Sequence, residues 1–356
     1  MRKFTYMVLA MLMVLMMVSC TAKTQQPSAT PAPTPAPTPT EPAIALVMSG
    51  KDTFNEELAA KAAEYAAKSG YRILPYFSQG SQVNDIYAAI GEGAKSIILM
   101  PQDPDNLQVV LEEADAQNIP IINVMQPVNA VVKMLIAPDY QKMGLIAAKN
   151  IAAARPNGAE VLTVESGGTA FIPQLIHDGF AGGAAQIDNV SVMQSIIVDS
   201  MEAAYEQVKA LSGGTNAIYS ETDFGALGAV KAIAESGADI SVVSTGGSAQ
   251  IMQAIKSGAI KSSVFVSPTQ LADLAVYYAI AAAMSPDGQM PQYAGLEIEV
   301  IDSANVDQYL AYGNYAHTMT STAAGATPAP TDTPAPTTAE QPSEENNDAQ
   351  HSDDAQ

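Results

Sequence analysis

The sequence predicts an α/β protein built as two doubly wound parallel-sheet lobes, and three observations carry that prediction. Short apolar, β-rich runs alternate with amphipathic helical stretches, the pattern of βαβ units. The alternation runs through two series, one before and one after Pro138. Between two low-complexity flanks lie about 270 residues, enough for two separate cores.

The first series opens at Ala43–Met48, an uninterrupted apolar run suited to a strand buried on both faces. The next segment places Phe54, Leu58, Ala62, Tyr65 and Ala66 on one helical face before Gly70. Further pairs follow: a strand at Arg72–Phe77 with a helix from Ser81, then a strand at Ser96–Met100 with a helix from Asp103. A strand at Ile121–Met125 closes the series. The second series places strands near Glu160–Val164, Ser191–Val198, Ala217–Tyr219, Ile240–Ser244 and Ser262–Val266, with helices in the gaps.

The flanks speak to location. Arg2 and Lys3 precede an uncharged apolar run from Met7 to Val18, the form of a secretory signal over residues 1–20. At 1.5 Å per residue this run spans roughly 18 Å, short for a ~30 Å hydrocarbon core, so cleavage is expected rather than a retained anchor. The sequence Met17-Val18-Ser19-Cys20 resembles the bacterial lipobox, with Met17 where Leu is usual. That resemblance implies lipidation at Cys20 and attachment to the outer face of the cell membrane. Residues 21–42 repeat Pro, Ala and Thr and read as an extended tether, up to roughly 70 Å long at ~3.1 Å per residue. Similar composition returns at Thr327–Pro330, and the acidic end that follows makes residues 313–356 an expected disordered tail.

Several function classes fall away on composition. Loss of Arg2 and Lys3 with the signal takes the net charge from −21 to −23, the wrong sign for a phosphate-neutralising nucleic-acid face. Cys20 is the sole cysteine and the three histidines (His177, His317, His351) are scattered, so neither a disulfide nor a zinc site is supported. No cofactor is implied. Glu165 and Glu221 could form an acid–base pair, but His177 has no evident partner and no nucleophile arrangement is present. Gly167-Gly168 and Gly246-Gly247 read as turns, without a full phosphate-loop pattern.

Four pieces in order resemble the ribose-type periplasmic binding proteins and the effector domains of sugar-responsive repressors. They are Ile44-Ala45-Leu46-Val47-Met48-Ser49, Gly93-Ala94-Lys95, Asn118-Ile119-Pro120-Ile121-Ile122 and Ala226-Leu227-Gly228-Ala229. The resemblance spans most of Ala43–Ile301 and implies the type 1 periplasmic binding protein fold, with lobes joined by a three-segment hinge that closes on ligand. Crossings are placed near Pro138, Ser267 and Gly295. Lobe 1 is then 43–138 with 268–294, and lobe 2 is 139–267 with 295–312. An export signal stands where a repressor carries its DNA-reading module, which excludes that branch.

Ligands of open parallel sheets bind beyond the C-terminal strand ends. In lobe 1 these ends supply Ser49, Lys51, Asp52, Phe54, Met100, Met125 and Gln126; in lobe 2 they supply Glu165, Thr169, Glu221, Thr222, Gly246 and Val266. Asp103 and Asp223 read first as helix starts. Ribose-type receptors resemble one another in an Asp-Arg pair, a helical Arg, and later Asn, Asp and Gln. This chain has Met125-Gln126, Gln174, Thr222, Gly246 and Val266 at those positions. Nearly every charged sugar clamp that the resemblance implies is missing. The mature chain has two arginines, Arg72 and Arg155, both placed at the strand edge opposite the cleft. The reading is therefore a monomeric, non-enzymatic, lipid-anchored solute-binding protein. Its expected ligand is neutral or cationic, sugar-like or nucleoside-like, delivered to an ABC permease or, alternatively, presented to a membrane sensor.

Overall fold

The computed structural model describes residues 41–166, 171–211 and 213–311. Cys20, the tether up to residue 40, Gly167-Gly168, Thr169 and the acidic tail lie outside the described residues.

In lobe 1 the chain runs β1 (Ala43–Met48), α1 (Thr53–Lys68), β2 (Arg72–Phe77), α2 (Gln82–Gly91), β3 (Ser96–Leu99), α3 (Gln108–Ala116), β4 (Ile121–Val124) and β5 (Met134–Pro138). Lobe 2 follows with α4 (Tyr140–Ala154), β6 (Ala159–Ser166), α5 (Phe171–Ala184), β7 (Val190–Val198), α6 (Met201–Lys209), β8 (Ala217–Ser220), α7 (Asp223–Ser236), β9 (Ser241–Thr245), α8 (Ala249–Lys256) and β10 (Ser262–Phe265). Helix α9 (Pro268–Met284) and β11 (Tyr293–Leu296) return to lobe 1, and β12 (Glu299–Asp302) with α10 (Val306–Ala311) ends in lobe 2. Each sheet has six strands, ordered β11-β5-β4-β3-β1-β2 and β12-β10-β9-β8-β6-β7. All described pairings are parallel except β10–β12. The fold class is the expected one.

Three strands had not been read from the sequence. Strand β5 is a four-residue apolar run capped by Pro138, and it pairs with β4 through Ile122–Met134 and Val124–Ile136. Strands β11 and β12 are edge strands with half-exposed side chains, so they lack the apolar signal of buried strands. Strand β11 also moves the third crossing. Gly295 and Leu296 pair with Ala137 and Pro138 in lobe 1, so the chain crosses at 297–298 rather than near Gly295. The other two crossings fall at Asp139 and at Val266-Ser267. Helix α3 begins at Gln108, not Asp103: the Asp103 carboxylate instead accepts from the Asp105 amide and the Asn106 side chain in the preceding turn.

The helices begin where their caps dictate. Asp52 accepts from the Asn55 amide at 2.8 Å to open α1, and Thr222 accepts from the Gly225 amide at 3.2 Å to open α7. Ser267 caps α9 and Pro268 follows in its first turn. Helices α4 and α5 cross at Gly144 and Gly179, where a Cβ on either would lie 2.0 Å from a backbone oxygen of the other helix. One apolar cluster runs past the crossings through Ala137, Tyr140, Val266 and Leu271, so the lobes share packed side chains at the hinge.

Candidate functional site

The C-terminal strand ends of both lobes converge on a cavity of about 350 Å³. Lobe 1 contributes Asp52, Thr53, Phe54 and Met125, and the first turn of α4, just past the first crossing, contributes Tyr140 and Met143. Lobe 2 contributes Asp223, the loop Thr245–Ser248 and Val264–Val266. Its wall is mostly apolar, with carboxylates from both lobes and no lysine or arginine among the described lining residues.

Each position has a local cause. Met125 leaves β4 with φ +67°, a left-handed conformation rare outside glycine, and is pinned at both ends. Its amide donates to Ile136 O at 2.7 Å, and its carbonyl accepts from the Tyr140 hydroxyl at 2.8 Å. Thr245 holds its place through the buried Tyr219 hydroxyl at 2.8 Å, and Tyr219 stacks on Phe180 with centroids 4.1 Å apart. Gly246 has φ +116°, and a Cβ there would sit 2.0 Å from Asp223 Oδ1. The Asp223 carboxylate thus fills the space of a side chain at 246. It accepts from the Ser248 amide at 2.7 Å, while burial raises its pKa. With Thr222 serving as the cap, Asp223 starts the helix as expected, and its side chain crosses to the neighbouring loop.

Of the sequence candidates, Asp52, Phe54, Met125, Gly246 and Val266 line this cavity. Ser49 and Met100 are not among its lining residues; Ser49 is half-buried and donates to Met100 Sδ at 3.6 Å. Gln126 lines a second cavity of about 600 Å³ with Gln102, Asp103 and Phe171. Lys51 is exposed, 3.4 Å from Glu56 and 5.8 Å from the Phe77 ring centroid. Gln174 is exposed and donates to Asp178 on its own helix at 2.8 Å. Arg155 bonds Asp239 at 2.9 Å, at the N-terminal strand edge away from the cleft.

Glu165 and Glu221 are brought together, and with them His177, for which the sequence showed no partner. Nδ1 of His177 lies 3.4 Å from Glu165 Oε1 and 3.5 Å from Glu221 Oε1. Glu165 also accepts from the Thr163 hydroxyl at 2.7 Å. Burial, and next the Glu165 carboxylate, push Glu221 up to about 7. Tyr140, Met143, Ser248 and Phe265 are lining residues that sequence reasoning did not name. The first two follow the unread β5, and Phe265 looked like an ordinary strand residue.

A family model described as a periplasmic binding protein domain matches residues 44–287. The chain belongs to that family. Among curated proteins it is 27% identical over 216 residues to the ribose import binding protein of Bacillus subtilis (strain 168), covering 59% of this chain and 71% of the relative. It is 25% identical over 250 residues to the counterpart from Escherichia coli (strain K12), covering 64% and 80%. Among solved structures, an ABC transporter solute-binding protein from Agrobacterium vitis with bound α-D-tagatopyranose superposes with a TM-score of 0.67 at 23% identity, over 78% of this chain and all of that one. One from Actinobacillus succinogenes 130z with bound D-allose gives 0.70 at 19% identity, over 76% and 100%. This periplasmic binding protein is a binding protein and not an enzyme, and its family implies a location outside the cytoplasm. Among the described residues, no helix is long and apolar enough to cross a membrane.

Proposed function

We propose that the chain is a lipid-anchored receptor that captures a small neutral or cationic solute, sugar-like or nucleoside-like, and delivers it to an ABC importer. One observation carries the ligand class: the interlobe cavity of about 350 Å³ presents Asp52 and Asp223 with Phe54, Met125, Phe265 and Val266, and no cationic side chain among its described lining. Phosphates and carboxylates are usually held by guanidinium forks or ammonium groups. An anion entering here meets a negative field; an apolar ring face with a few hydroxyls or an amine meets complementary chemistry. The bound sugars of the solved relatives and the ribose named for the curated ones support a polyhydroxylated solute. Cys20 supports the anchor.

The test is a calorimetric and thermal-shift panel on the mature protein. Neutral members are D-ribose, D-allose, D-tagatose, myo-inositol and adenosine; D-glucosamine is the cation; D-ribose 5-phosphate and D-glucuronate are the anions. A neutral or cationic compound is expected to bind tightest. An anion as tightest ligand, with affinity that collapses in Lys51→Ala, would refute the assignment.

A further inference from the structure

The cleft edge of lobe 2 continues past the cavity. Strand order runs β10, β9, β8, β6 at roughly 4.8 Å per strand, so Glu221 after β8 and Glu165 at the end of β6 extend the same edge. Phe171, the first residue of α5, lines the second cavity, and His177 lies six residues, under two turns, further along that helix. The cluster of Glu165, His177 and Glu221 therefore lies on the cleft edge of lobe 2.

Its two faces differ. The Glu221 side chain is 3% exposed, and both its Oε1 and Nδ1 of His177 are enclosed without a hydrogen-bond partner of good geometry. The imidazole is nonetheless one-third exposed. An enclosed nitrogen flanked by two acceptor oxygens carries the proton, so the carboxylates fix the tautomer and leave Nε2 on the open side. We propose that His177 contacts the captured solute through Nε2, and that the contacted group is a hydroxyl. A hydroxyl both donates and accepts, so it satisfies Nε2 whether the ring is neutral or protonated. A carboxylate or phosphate would be opposed by Glu165 and Glu221 immediately behind the ring. The assignment rests on the cleft being the solute site and names the group that reads the solute on this lobe.

Two measurements test it with the neutral polyols of the panel. In His177→Ala the tightest of them is expected to lose about tenfold in affinity, one hydrogen bond's worth. His177→Gln, whose amide nitrogen reaches about as far as Nε2, is expected to recover most of that loss. In ¹⁵N-histidine-labelled wild type, addition of the same polyol is expected to move the His177 Nε2 resonance and to leave those of His317 and His351 in place. The His177 signal is identified by its absence from His177→Gln. If no polyol binds wild type, the sugar-type reading fails and this proposal falls with it. If one binds and either the Nε2 resonance stays put or His177→Ala binds within twofold of wild type, the contact is refuted and the sugar-type reading stands.

Discussion

Glu57 offers a sharp test of the electrostatics of lobe 1. It lies on α1 against the start of α9, 7% exposed, with Oε1 3.4 Å from the Thr269 hydroxyl and Oε2 buried without a partner. Burial outweighs that contact and the more distant Lys61, and pushes the carboxyl from 4.5 up to about 7. Between those values the folded protein holds a proton that the unfolded chain has released, so stability falls as pH rises through the window and levels off above about 7. At about 1.4 kcal/mol per pH unit the full shift is worth roughly 3 kcal/mol, or about 2 after allowance for residual solvent screening. Glu57→Gln keeps the shape and removes the charge. Its melting temperature is expected to match wild type near pH 4.5 and to exceed it by roughly 4–8 °C at pH 8, at about 2–4 °C per kcal/mol for a chain of this size. Paired thermal melts at the two pH values decide it. A gain of equal size at both, or a loss at pH 8, would show that the Glu57 carboxylate is not penalised by burial and would refute the reasoning.

Three further outcomes are expected. Gly179→Ala places a methyl 2.0 Å from Gln141 O at the α4–α5 crossing, and should destabilise the protein by at least about 2 kcal/mol in denaturant melts. Gly246→Ala drives a Cβ into Asp223 Oδ1 at a backbone φ of +116°; solute affinity measured by calorimetry should fall, and Asp223→Ala in the same chain should return part of the lost melting temperature. Cys20→Ala should abolish metabolic labelling by a fatty-acid analogue, and labelling equal to wild type would remove the anchor from the proposal.

The buried parallel strands were legible in the sequence because a strand covered on both faces is mostly apolar. β1 reads that way without interruption and β3 after Ser96, and the amphipathic face of α1 announced which side packs. Edge strands β11 and β12 carry no such signature, since one side of each meets solvent, and their existence follows from pairing with β5 and β10. The residue types at Met125, Gly246 and Val266 were likewise local information, read position by position. Their surroundings were not. That Asp223 fills the space beside Gly246, and that His177 meets Glu165 and Glu221, depends on bringing together residues from separate elements at one sheet edge. Sequence fixes the period and polarity of each element, but the partners of a side chain are set by strand order and helix crossing, and those exist only once the chain has packed.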